Sequence, residues 1–131
     1  MTTIPELINE FNRKVKLLVL NIYNKDKKNE FMYRMKERVI NFCDISPVHV
    51  IDGMGKGLYL YKDIIYKADE DFALNHDFLS ELPKNIKDIH EISVSLKHIW
   101  VKLTKNEKEN FIYLVQELLD NYIEYMSLKH L

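Results

Sequence analysis

A chain of 131 residues, 47% hydrophobic and 30% charged, is long enough for one domain with its own core and too apolar to be intrinsically disordered. Its formal net charge of −1 gives no overall field toward nucleic acid or an anionic membrane. The single cysteine, Cys43, excludes an internal disulfide and suits a reducing compartment. Nothing beside it in sequence would lower a thiol pKa, so it reads as a small apolar helix residue.

The first helix is announced by Thr3-Ile4-Pro5-Glu6, a capping box with proline in the first turn. Ile4, Leu7, Ile8, Phe11, Val15, Leu18 and Ile22 recur at spacings of three and four to about Tyr23. Toward its end, in "VKLLVLNIY", Leu17, Leu20 and Tyr23 fall off that stripe and widen the apolar surface to nearly the whole circumference. A helix apolar all round is either central to its domain or covered by a partner. Leu17, Leu20 and Tyr23 are therefore a candidate interface, with a two-fold homodimer as the simplest cover.

"NKDKKN" reads as a loop, followed by a second helix from Asn29 to Cys43 with Phe31, Met32, Met35, Val39, Ile40 and Cys43 on one face. Lys25, Lys27, Lys28, Arg34, Lys36 and Arg38 form a basic region with Tyr23, Phe31 and Tyr33 interleaved, in a net-basic first half of the chain. Such a region could touch phosphates, which makes a nucleic-acid-associated protein the alternative reading; a solvated helix face has the same composition.

Ser46-Pro47 is expected to cap and open a short third helix. All three glycines then fall in "GMGKG", Gly53 to Gly57. A phosphate loop requires G-x-x-x-x-G-K-[ST] after a strand, and Leu58 stands where the magnesium-binding hydroxyl belongs. A dinucleotide site requires G-x-G-x-x-G. A nucleotide-binding enzyme at Gly53–Gly57 is thus a third, distant reading. The plainer expectation is a helix break, with Gly53 or Gly55 in a left-handed cap and Lys56 serving the last carbonyls. A fourth helix then begins near Leu58, carries Tyr61, Ile64 and Ile65, and fades at "ADED".

"ADEDFALNHD" gathers Asp69, Glu70, Asp71 and Asp77 but lacks the central glycine of a calcium loop, and reads as solvated. Asn85 is a candidate cap for a fifth helix carrying Ile86, Ile89, Ile92, Leu96, Ile99, Trp100 and Leu103. Thr104-Lys105-Asn106-Glu107 is a second capping box and opens a sixth, with Phe111, Ile112, Leu114, Val115, Leu118, Leu119, Tyr122, Ile123 and Met126. So short a connection implies that the last two helices form an antiparallel hairpin with Trp100 largely buried between them. No segment alternates with period two, and no linker divides the chain. Residues 1–131 are expected to form one all-α domain, a compact bundle of about six helices. His90 and His98 stand too far apart on a helix to share a zinc, and no His-Glu-x-x-His or cysteine pair occurs. No catalytic residue, metal or cofactor is expected. The opening stretch lacks the basic-then-apolar pattern of a leader, and no apolar run nears the length of a membrane span, so the expectation is an intracellular protein without membrane association.

The second half carries a resemblance. "YKADEDFALNHDF" and "LKHIWVKLTKNEKENFIYLVQELL" resemble small helical proteins of nucleocytoplasmic large DNA viruses, in which an acidic D-E-x-F-x-L-N stretch precedes a helix ending in W-x-x-L-[ST], a lysine-rich turn and a final amphipathic helix. The matching residues are Asp69, Glu70, Phe72, Leu74, Asn75, Trp100, Leu103, Thr104 and Lys108. The glycine-rich stretch has no counterpart in that pattern. The resemblance implies a viral source and a helical fold, and no catalytic residues. The expected function is non-enzymatic, through protein–protein contacts in a virion or an infected cell.

Overall fold

The computed structural model describes residues 2–68 and 89–130; Asp69, Glu70, Asp71, Phe72, Leu74, Asn75, Asp77 and Asn85, on which the acidic-loop and fifth-cap readings rest, lie outside them. The described residues form helices α1 (Ile4–Asn24), α2 (Glu30–Ile45), α3 (Pro47–Leu60), α4 (Lys62–Lys67), α5 (Ile89–Trp100) and α6 (Lys105–Lys129), with no strand among them. The chain is an all-α bundle.

Helix α1 packs against α2, α3 and α6. Its buried residues Leu7, Phe11, Val15 and Leu18 are those of the predicted stripe, with Ile4, Ile8 and Ile22 at the margin of the core. Thr3 accepts from the Glu6 N–H at 3.3 Å, and Asn29 accepts from Met32 N–H at 3.1 Å to cap α2. The capping box of α6 is complete: Glu107 N–H donates to Thr104 at 3.2 Å and Thr104 N–H to the Glu107 carboxylate at 3.0 Å.

Two local expectations are corrected. Ser46 stands between α2 and α3, yet its side chain makes no capping bond; its backbone closes both helices, N–H to Phe42 carbonyl and carbonyl to His49 and Val50 N–H. The glycines do not end α3. The helix runs through them to Leu60, none has positive φ, and the left-handed cap falls instead on Ala68 after α4. Lys56 is accordingly mid-helix, and the break between α3 and α4 falls at Tyr61. Trp100 is largely buried, in line with the expectation, and its indole nitrogen is fully so. Its ring meets Phe111 edge-on at 5.5 Å, with the Lys108 ammonium 5.5 Å above it, and the neighbouring Ile99 is the buried member of that turn.

Why does α3 survive three glycines? Each costs a helix interior about 1 kcal/mol relative to alanine. Val50 and Ile51 are buried, Met54 and Leu58 pack on the core, and the helix lies against α6. Gly55 is part of that contact. A Cβ built on it would fall 2.1 Å from Cδ1 of Tyr122, so the ring lies where a side chain would otherwise stand. Tyr122 in turn sits between Tyr59 and Tyr125 along the α3–α6 seam.

Polar contacts fix the remaining registers. Tyr125, 2% exposed, donates its hydroxyl to Asp52 at 2.9 Å, and Tyr66 donates to Asp120, so two phenols tie α3 and α4 to α6. Burial first, and the adjoining carboxylate second, push both phenols up to about 12. The sign follows from proton counts. An unfolded tyrosine releases its proton near the ordinary value of 10 while the folded one still holds it, so stability is lost as pH rises from 10 to 12. The melting temperature should fall across that interval. Tyr125→Phe should flatten the fall more than Tyr66→Phe, because Tyr66 is exposed; equal slopes in both variants and the parent would rule this coupling out.

Candidate functional site

The sequence-predicted residues separate into two places. On α1, Leu17 and Leu20 point away from the core and are 41% and 37% exposed. Tyr23 does not join them. It turns toward α2, its ring 5.9 Å from that of Tyr33, and the Lys36 ammonium sits 4.5 and 4.6 Å from the two ring centroids. This cation–π clamp closes the α1–α2 hairpin at its turn.

The basic region is similarly divided. Lys25 pairs with Glu107, and Lys102 lies 4.0 Å from Asp26, so the α1–α2 and α5–α6 turns meet by ion pairs. Lys36 is held by the clamp and by Glu37 at 3.2 Å. Lys27, Lys28, Arg34 and Arg38 are exposed, Arg34 and Arg38 one turn apart on the outside of α2. The six cations therefore do not form one continuous stripe.

Within α3, the N–H groups of Gly53, Gly55 and Gly57 belong to helical bonding, and the region offers no cradle of free amides for a phosphate. The glycines differ from one another. Gly55 is occupied by Tyr122, whereas a Cβ on Gly53 or Gly57 would meet nothing within 4 Å.

Gly53 opens onto a groove of about 470 Å³ between α1, α2 and α3, lined by Val15, Arg38, Val39, Phe42, His49, Val50, Gly53 and Met54. Its size falls within the range of ligand and side-chain pockets. Phe42, 51% exposed, stands at its rim. This groove has no signature in periodicity. Phe42 lies off the apolar face read for α2, and the groove arises only because the bend at Ser46 lays α3 beside α2. Asn12 secures that corner, donating to the carbonyls of Ile8 at 2.8 Å and Pro47 at 3.1 Å.

Between α1 and α6 lies a buried polar group that sequence reading missed. The side chain of Lys14, only 9% exposed, reaches Glu117 at 2.9 Å and Asn121 at 2.8 Å. Its spacing placed it on the margin of the apolar stripe, where a lysine normally extends to solvent. The Lys14 hydrogen bond, outweighing desolvation, holds the Glu117 carboxyl below its ordinary value. Cys43 is 3% exposed, and burial pushes its thiol up, which leaves it unactivated as a nucleophile. Among the described residues no three His, Cys, Asp or Glu side chains converge on a metal position, and no helix is long and apolar enough to cross a membrane.

Comparison with family models, curated proteins and solved structures found no match.

Proposed function

We propose that this chain is a non-enzymatic helical protein of a large DNA virus, acting through protein–protein contacts as a virion component or in the cytoplasm of the infected cell. The observation that carries the reading is the outer face of α1. Leu17 and Leu20 stand exposed on the helix that otherwise packs most broadly into the bundle. Paired exposed leucines of this kind gain most when a second protein surface covers them. The viral source rests on the resemblance carried by Trp100, Leu103, Thr104 and Lys108 at the α5–α6 turn and by the acidic stretch before it.

The simplest partner is a second copy related by a two-fold axis, with Leu17 and Leu20 as its apolar centre. Light scattering over a dilution series should give a dimer mass that falls toward the monomer on dilution. A monomer mass at every concentration would overturn the homodimer. Leu17→Glu combined with Leu20→Glu should yield a folded monomer by circular dichroism. The nucleic-acid reading is the weaker one, supported by exposed Lys27, Lys28 and Arg34 and diminished by the internal engagement of Lys25 and Lys36.

A further inference from the structure

We infer that the homodimer is antiparallel, with the outer stripe of α1 lying on the same stripe of a second copy and the two-fold axis passing between Leu17 and Leu20. The inference rests on the homodimer reading and adds to it a direction, a register and the polar residues that set them. Glu10, Arg13, Leu17, Leu20, Asn24 and Lys27 follow one another at alternating spacings of three and four. Two helices meet along a seam of that spacing. The first five lie on α1 and Lys27 in the turn directly after it. Arg13, Leu17, Leu20, Asn24 and Lys27 are exposed, and the Glu10 side chain is 40% exposed.

The stripe is complementary to its own reverse. Laid antiparallel, with Leu17 on Leu20 of the second copy, it puts Arg13 opposite Asn24 and Glu10 opposite Lys27, and each pairing occurs twice by symmetry. Laid parallel, it puts Glu10 on Glu10, Arg13 on Arg13 and Lys27 on Lys27, which like-charge repulsion disfavours. The polar groups have capacity for the antiparallel contacts. Glu10 is joined to Arg13 and, at 3.8 Å, to Lys14, but a carboxylate offers about four lone-pair sites. Arg13 engages it through Nε and Nη2, which leaves Nη1 to donate to the Asn24 amide oxygen. The Lys27 side chain has no ion pair or hydrogen bond among the described residues. Its turn is anchored on the other side, by Lys25 on Glu107 and Asp26 beside Lys102. Lys28, also exposed, offsets the exposed Glu30 that opens α2, so the turn stays net basic.

Direction is readable by cross-linking. Opposed positions on adjoining helices come within disulfide reach, whereas in this register the two copies of residue 13 stand ~16 Å apart along the axis. The same holds for the two copies of residue 24.

The test uses Arg13→Cys and Asn24→Cys as separate full-length proteins, oxidised singly and as a mixture, with each fold checked by thermal melting. The native Cys43 is 3% exposed and does not compete. The mixture should give a disulfide-linked heterodimer and neither protein alone a linked homodimer. Adding Leu17→Glu and Leu20→Glu to both should abolish the link. Lys27→Glu should raise the dimer dissociation constant several-fold at low ionic strength, an effect that fades as salt is added. Links formed by each protein alone, without preference for the mixture, would overturn the antiparallel register and leave the α1 homodimer standing. An unchanged dissociation constant for Lys27→Glu would overturn the ionic part of the register. A dimer mass by light scattering with no link in any combination would place the contact on another face and overturn both readings. A monomer mass at every concentration would end the homodimer and this inference with it.

Discussion

Gly55→Ala should destabilise the protein, while Gly53→Ala and Gly57→Ala should each stabilise it by about 0.5–1 kcal/mol. The three glycines alternate along one helix and share the same intrinsic penalty, so the difference between them is entirely tertiary. At Gly53 and Gly57 an added methyl group meets nothing within 4 Å, leaving only the gain in helix propensity. At Gly55 it would fall 2.1 Å from Cδ1 and 2.5 Å from Cγ of Tyr122, far inside van der Waals contact. The contact is with the root of the ring, and Tyr122 is 7% exposed between Tyr59 and Tyr125, so it cannot swing aside without opening the α3–α6 seam. Overpacking of this kind costs about 1–3 kcal/mol, which exceeds the propensity gain over most of that range. Urea unfolding of the three alanine variants gives the comparison directly. A double-mutant cycle with Tyr122→Ala should show coupling of about 0.5–3 kcal/mol for Gly55 and none for Gly57. If Gly55→Ala stabilised as much as Gly53→Ala, the close approach of Tyr122 to α3 would be wrong.

Lys14→Ala should cost about 3 kcal/mol, the lower end of the range for breaking a buried ion pair, because Glu117 remains 29% exposed and can recover some hydration. The loss combines a stranded carboxylate, an Asn121 oxygen without its donor, and the emptied volume of the lysine stem. Lys14→Met keeps the stem and should cost less. Lys14→Met combined with Glu117→Leu should return stability to near the parent, since it removes both charges together. The pH dependence follows from the direction of the Glu117 shift. Its folded carboxyl lies below the ordinary 4.5, so its contribution is present above that value and is lost as pH falls through the folded pKa. The gap between parent and Lys14→Met should therefore narrow below about pH 4.5. A gap that stayed constant down to pH 2 would mean that the lysine acts by packing alone.

The resemblance stood on features of the α5–α6 turn that prove structural. Thr104 is a cap, and Trp100 contacts Phe111 and Lys108 beside it. Such residues serve helix entry and packing.

What the sequence determined alone was local. Thr3 and Thr104 cap their helices because a short side-chain oxygen three residues ahead of an unpaired N–H needs no tertiary help. The α1 stripe of Leu7, Phe11, Val15 and Leu18 was equally legible, because period 3.6 puts those side chains on one face wherever the helix is placed. The tertiary structure decided what depended on a neighbour. Three glycines read alone as a stop, and the burial of Val50 and Ile51 against the rest of the bundle carries the helix past them. Ser46 was read as a cap and is a bend, because the next helix begins at once and its backbone closes both ends. Lys14 became a buried partner of Glu117, and Phe42 the rim of a groove, only when residues far apart in the chain were laid side by side. Local hydrogen-bond chemistry and periodicity are properties of a few consecutive residues; the space beside Gly53 and the ring against Gly55 are properties of two helices at once.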